Sequence, residues 1–338
     1  MLQQTRVETV IPYFERFLTD YPTVFALAEA PLDDVLERWS GLGYYRRARM
    51  LHAGAQAIAA RGKFPEKHAE LLEVKGIGPY TAGAVASIAY DEVVPLVDGN
   101  VERVLSRLRG IEDDVTKTVG KRAIWREAEA LVPVKRAGDF NQALMELGAT
   151  VCTPRNPSCG TCPLAAFCVA KEKGIAADLP RKTKAAKAKD EHRLALVAVR
   201  RNPATDGLEL LLARRKPDVR FGGLHEPPQL VVDAATEDDG DAVAAAFVKA
   251  FGVPLEGVFP LPALVHVLSH RRLLVAPYRA KFTGEFGAAV SQEPASPLPG
   301  DYDALLAYPL AGGAPSIGLS TLAKKILASA GIVLRGRR

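Results

Sequence analysis

Two hydrophobic periodicities divide the chain. Up to about residue 170, apolar side chains recur every three or four positions: Val7, Val10, Ile11, Phe14, Phe17 and Leu18 form one stripe, and Phe140, Ala143, Leu144 and Leu147 another. That is the spacing of amphipathic helices. It predicts a first helix starting at Thr5 and further helices over 32–39, 45–60, 80–90, 101–108, 121–131 and 140–149. Thr5 with Glu8 fits a capping box, which leaves Gln3 and Gln4 in the preceding loop, and Pro12 is expected to bend the helix. Beyond residue 193 the pattern changes. Short Leu- and Val-rich runs at 194–200, 208–213, 264–268 and 273–278 read as strands, and 241–251 and 321–330 as helices.

The predicted fold class is therefore multidomain, an all-α region followed by an α+β region. Between them, residues 171–193 hold eight Lys and Arg against four Asp and Glu with no apolar period, and read as a basic linker. The expected organisation is a helical domain over 1–170, the linker, and an α+β domain over 194–338.

A length of 338 residues suits two domains, and 48% hydrophobic with 25% charged residues indicates globular folding. No run approaches the roughly 18 to 20 apolar residues of a membrane span, and the first residues lack the basic-then-apolar order of a signal peptide. A cytoplasmic location and no membrane partner are expected. Nearly all of the net charge of +5 sits in the linker, so bulk charge argues only weakly for nucleic acid.

The chemistry is concentrated in three places. Cys152, Cys159, Cys162 and Cys168, spaced C-x₆-C-x₂-C-x₅-C, put four thiols on one short loop. Disulfides are disfavoured in a cytoplasmic chain; the spacing suits zinc and a [4Fe–4S] cluster equally. Residues 71–87 read as helix, Gly76-Ile77-Gly78 turn, helix, with two glycines permitting positive φ and Pro79 opening the second helix, whose N–H groups can seat a phosphate. Alone, such a turn is an ordinary connection. Asp98, in Val97-Asp98-Gly99-Asn100, precedes a periodic helix and by itself reads as an N-cap.

Together, the glycine hairpin, the Val-Asp-Gly-Asn run and the downstream Cys₄ loop resemble the helix-hairpin-helix DNA glycosylases, the superfamily of endonuclease III and of the MutY-type adenine glycosylases. The resemblance tips the cysteine loop towards one [4Fe–4S] cluster with a structural role, on a loop whose Arg155 can approach phosphate. It implies that Asp98 is catalytic, stabilising positive charge as a glycosidic bond breaks, with Asn100 positioning the sugar or its phosphate. Tyr80 stands where lyase-competent relatives carry a lysine, which implies a monofunctional glycosylase.

Leu2-Gln3-Gln4-Thr5 and Gly41-Leu42-Gly43-Tyr44-Tyr45-Arg46-Arg47 also match the MutY pattern. By this resemblance Gln3, Gln4 and Tyr44 meet the opened duplex, Arg46, Arg47 and Lys75 lie near phosphates with Gly76 and Gly78, and Gln142 contacts the base. Read bare, Gln4 is a loop amide, Gln142 an exposed helix-start glutamine, and Tyr45, in step with Ala48 and Leu51, a half-buried tyrosine at a solvated helix start.

The second half resembles the Nudix-like domain that reads 8-oxoguanine opposite adenine. Ser269 and His270 are the candidate lesion contacts, although Leu268 replaces an aromatic and the bare reading is a turn between strands. The helix following Gly240 lacks the glutamates a Nudix hydrolase needs for Mg²⁺, so nucleotide hydrolysis is not expected.

The expected partner is double-stranded DNA with an 8-oxoguanine·A or G·A mispair, bound by a monomer. In the family a glutamic acid that protonates adenine lies two residues before the Met-Leu-Gln-Gln-Thr run, upstream of Met1 here, so binding is expected to exceed cutting. A non-catalytic lesion binder and an endonuclease III-type glycosylase-lyase are the rival readings.

Overall fold

The computed structural model describes residues 1–183, 188–233, 239–268, 270–283, 298–310 and 317–334. Its first part is helical: α1 (Val7–Asp20), α2 (Val24–Glu29), α3 (Leu32–Arg38), α4 (Arg46–Arg61), α5 (His68–Leu72), α6 (Pro79–Tyr90), α7 (Gly99–Arg109), α8 (Thr118–Leu131), α9 (Ala137–Thr150) and α10 (Val169–Glu172). Then follow β1 (Lys189–Arg201), β2 (Leu208–Arg215), β3 (His225–Glu226), β4 (Gln229–Val232), α11 (Gly240–Phe251), β5 (Leu255–Pro260), β6 (Leu264–Val267), β7 (Arg271–Phe282), β8 (Tyr302–Pro309) and α12 (Thr321–Ser329). Among the described residues no helix is long and apolar enough to cross a membrane.

The chain forms two compact units, one of residues 53–185 and one of residues 1–52 together with 186–338. In the first, Leu96, Val101, Val104, Leu105, Val115, Ile124, Ala128 and Leu144 make the core of α7, α8 and α9. A smaller cluster of Leu71, Ala82 and Ala86 closes α5 onto α6.

In the second unit β1 pairs in parallel with β7, and its other neighbours β2 and β4 run antiparallel to it; β3, β5, β6 and β8 extend the same sheet. Alternation along β1 divides the core. Leu194, Leu196 and Ala198 face Val243, Phe247 and Phe251 of α11. Ala195 and Val197 lie with Leu322, Ala323, Ile326 and Leu327 of α12.

Three details depart from the sequence reading. The capping box is not formed: α1 starts at Val7 with Arg6 as an uncapped N-cap residue, and Thr5 Oγ1 accepts a hydrogen bond from Arg47 instead. The α1 stripe splits, with Val10 and Phe17 buried while Val7, Ile11, Phe14 and Leu18 remain 56%, 50%, 52% and 47% exposed. Finally, β1 begins at Lys189, inside the stretch read as linker. Its charges are satisfied in pairs, Asp190 with Arg272 at 2.5 Å and Glu191 with Arg193 at 2.6 Å, so a polar run becomes strand.

Candidate functional site

The hairpin connects α5 to α6 through Gly76-Ile77-Gly78. Gly76 adopts φ +94°, a conformation that side chains resist. Gly78, though a glycine there permits positive φ, is extended at φ −97°, ψ 176°. Pro79 explains the difference, because its ring forces the preceding residue into the extended region. Ile77 packs on the Leu71, Ala82 and Ala86 cluster, which anchors the turn from beneath, while Lys75, Gly76 and Gly78 stay exposed. A Cβ at Gly78 would meet nothing within 4 Å, so this side of the turn is open.

Tyr80, the second residue of α6, is half-buried, and its hydroxyl lies 3.8 Å from Met145 Sδ. Burial first, and then the negative charge of Asp98, push its phenol above the ordinary tyrosine range, so it stays a neutral hydroxyl. Asp98 is the N-cap of α7. Its Oδ1 accepts from the backbone N–H groups of Asn100 and Val101, both at 2.8 Å, and its Oδ2 accepts from Asn100 Nδ2 at 3.0 Å. Cap and candidate catalytic carboxylate are thus the same group, with three donors fixing its orientation.

Behind Asp98 lies a device the sequence reading missed. Arg103, four residues after Gly99 on α7, is buried; its Nη2 donates to Asn100 Oδ1 at 2.9 Å and to the carbonyl of Gly148 at 2.7 Å, and its Nε donates to the Cys152 carbonyl at 2.7 Å. One turn on, Arg107 is also buried and donates to the carbonyls of Thr153 and Leu179 and to Cys152 Sγ at 3.3 Å. The available signal was two arginines four residues apart on the face that carries Val104 and Leu105, where a charge needs dedicated acceptors.

The four cysteines form no disulfide. All four line one apolar pocket with Arg107, Val151, Pro157 and Ala165. Four thiolates around an apolar chamber, with a guanidinium aimed at one sulfur to balance charge, suit a [4Fe–4S] cluster. Arg155, on the same loop, is exposed.

On α9, Asn141 is 1% exposed and braces the fold by donating to Ser87 Oγ and to the Val94 carbonyl, both at 2.9 Å. Gln142 is exposed, with its amide turned back on Gly138 O at 3.4 Å. None of the sequence-predicted residues lines the cleft formed by His68, Val93, Val94, Pro95, Arg122, Trp125, Arg126 and Glu129.

The remaining candidates belong to the other compact unit. Gln3 and Gln4 lie in the loop before α1 and Tyr44 and Arg46 at the start of α4, all exposed. Tyr45 is buried, and its hydroxyl donates to the Leu319 carbonyl at 3.0 Å. Arg47, expected near phosphate, turns inward: its guanidinium is spent on main-chain carbonyls and on Thr5. His270 is exposed in the turn joining β6 to β7, where the Leu268 N–H donates to the Arg271 carbonyl at 2.8 Å. Ser269 lies outside the described residues.

Comparison with known proteins agrees with this geometry. Residues 1–130 match the HhH-GPD superfamily of base excision DNA repair proteins, and residues 152–168 the iron–sulfur binding domain of endonuclease III. An adenine DNA glycosylase of Arabidopsis thaliana is 38% identical over 312 residues, 80% of this chain and 49% of that protein. One of Mus musculus is 35% identical over 342 residues, 88% of this chain and 64% of that protein. The chain thus spans between about half and two thirds of the length of these relatives. Among solved structures, a thermostable thymine-DNA glycosylase is 28% identical over 51% of this chain and 80% of its own, with a TM-score of 0.45. The hairpin, the N-capping aspartate and the four-cysteine loop thus lie in a chain that matches both family signatures, HhH-GPD over residues 1–130 and the endonuclease III iron–sulfur domain over 152–168, and that is similar along most of its length to adenine DNA glycosylases.

Proposed function

We propose that the chain hydrolyses the N-glycosidic bond of adenine mispaired with 8-oxoguanine or guanine, as a monomer on double-stranded DNA in the cytoplasm. The observation that carries this reading is the Asp98 carboxylate, held by three donors at the start of α7 with Tyr80 as its electrostatic neighbour. A fixed negative charge beside C1′ stabilises the cation-like sugar as the C1′–N9 bond lengthens, and Asn100 keeps that charge in place. The bond electrons leave with the adenine, which takes up a proton, and water adds its oxygen at C1′ and gives up a proton to solvent. Tyr80 has no amine to form an imine, so strand cleavage does not follow.

In this reading Lys75, Gly76, Gly78 and Arg155 bind phosphates, as does Arg46. Gln3, Gln4 and Tyr44 take the space that the extruded base vacates, Gln142 meets the adenine edge, and Ser269 with His270 reads the oxidised base. Cys152, Cys159, Cys162 and Cys168 hold the cluster, which supplies a rigid staple for the loop carrying Arg155.

A single-turnover assay on 8-oxoguanine·A and 8-oxoguanine·C duplexes tests the reading. Adenine release from the first alone, abolished in Asp98→Asn, is expected. Selective binding with no release assigns a lesion-binding role instead, and a borohydride-trapped protein–DNA adduct in high yield assigns a lyase.

A further inference from the structure

We propose that Arg47 is a positioning residue that presets Gln4 and Tyr44 as one rigid wedge before DNA arrives; this rests on the duplex-opening role proposed above for those two side chains. The guanidinium reaches into two loops at once. From the loop before α1 it takes the carbonyls of Met1, at 2.6 Å from Nη1, and of Gln3, and at Nη2 the hydroxyl of Thr5 at 3.0 Å. From the loop before α4, Nη2 takes the carbonyls of Leu42 and Gly43, both at 3.3 Å. Both Nη groups are therefore consumed by acceptors that flank the two wedge residues, and Nε is buried without a partner, so no donor remains for a phosphate.

The ring contacts tie the same clamp to the core. The Arg47 guanidinium carbon lies 5.3 Å from the ring centroid of Trp39 and 5.5 Å from that of Tyr44. Trp39 is 1% exposed and donates from Nε1 to the Gly43 carbonyl at 3.1 Å, so it anchors the loop from below. Tyr44 remains 52% exposed on the other side of the guanidinium.

Backbone strain marks the same two residues. Gln4 and Tyr44 both hold positive φ, +59° and +48°. Outside glycine this conformation is unfavourable and persists only where surroundings enforce it. Here the enforcing group is a planar cation with a fixed fork of donors, a geometry that lysine cannot reproduce. Presetting both loops removes the cost of ordering those side chains from the step that opens the duplex.

The test places 2-aminopurine opposite 8-oxoguanine and follows the fluorescence rise on unstacking, alongside affinity for a duplex with a tetrahydrofuran abasic analogue at that position, where no base must leave. For Arg47→Lys the rise is expected to fall by about 10-fold while affinity for the abasic duplex stays within about 2-fold. Thr5→Val, which removes one acceptor, should give the same pattern more weakly. Arg47→Lys added to Gln4→Ala/Tyr44→Ala should make that double variant no worse, because the clamp acts through those two side chains. An unchanged fluorescence rise, an equal loss on both duplexes or additive effects overturns the proposal. Absence of any rise with the unaltered chain overturns the duplex-opening assignment itself, and the clamp's role with it.

Discussion

Arg103 Nε donates to the main-chain carbonyl of Cys152 at 2.7 Å, while Nη2 of the same guanidinium holds Asn100 Oδ1 at 2.9 Å. The cysteine loop and the residue that orients Asp98 are therefore two ends of one buried cation. Arg103→Leu takes this donor from the Gly148 carbonyl and the Asn100 side chain and leaves the Cys152 carbonyl only its longer contact of 3.5 Å with Arg107 Nη1, at about 1–3 kcal/mol for each buried group left unpaired. We expect a lower melting temperature and adenine release slowed by at least about 10-fold. Thermal melts and single-turnover rates on the same preparation check this; a fall in stability with an unchanged rate would confine Arg103 to the scaffold.

Asp98 has two roles, helix cap and candidate catalyst, that one substitution separates. Asparagine caps helices about as well as aspartate. Asp98→Asn should therefore keep stability within about 0.5 kcal/mol while lowering adenine release by at least about 100-fold, since the amide carries no charge to oppose the developing cation. Asp98→Ala should lose both, with a stability cost of about 1 kcal/mol. Urea denaturation beside the excision assay distinguishes them, and an Asp98→Asn enzyme of normal rate would reduce the residue to a cap.

Gly148 sets how closely α9 approaches the start of α7. A Cβ built there would lie 2.7 Å from Asn100 Cβ and 3.0 Å from its carbonyl oxygen, closer than side-chain carbons pack. Gly148→Ala must therefore push Asn100 away, at an overpacking cost of about 1–3 kcal/mol. Adenine release should fall more than abasic-duplex affinity, because the displaced group orients the carboxylate and does not hold DNA. A variant with unaltered rate and melting temperature would mean that the helices separate without disturbing Asn100.

Much of this arrangement was legible beforehand because its signals are local. Hairpin, capping aspartate and cysteine loop each occupy fewer than about 20 consecutive residues, and their combination, more than any one spacing, carries the resemblance that assigns their chemistry. The longer Val- and Leu-rich strands were legible by alternation, whereas β5 contains Gly257 and ends at Pro260, β3 is two residues long, and β8 buries Ala304 and Ala307 where branched side chains would announce a strand. Arg47, Arg103 and Arg107 escaped for a different reason. An arginine on a helix reads as a solvated charge, and only the folded chain reveals the carbonyls, distant in sequence, that replace water around it. The α1 stripe failed similarly: periodicity identifies an apolar face without saying which part of it finds a partner.

His225 gives a pH dependence whose sign follows from its burial. Its side chain on β3 is buried, with Nδ1 unpartnered, and desolvation first, then the like charge of Arg214, lower its pKa to about 4 from the ordinary 6.5. In the unfolded chain the imidazole takes up a proton as the pH falls through 6.5, whereas in the folded chain it stays neutral until about 4. The proton thus binds the unfolded state preferentially: the His225 contribution is complete above 6.5 and is progressively lost as the pH falls towards 4, by roughly 3 kcal/mol in total. Between pH 7 and pH 5 the loss should be about 2 kcal/mol, read as a falling urea midpoint. His225→Gln, neutral at every pH, should flatten that slope even if it lowers stability throughout. An equally steep slope in the variant would assign the acid sensitivity to other groups, among them the Asp190 carboxylate, which Arg272 holds below its ordinary range and which also favours the folded state less as acid is added.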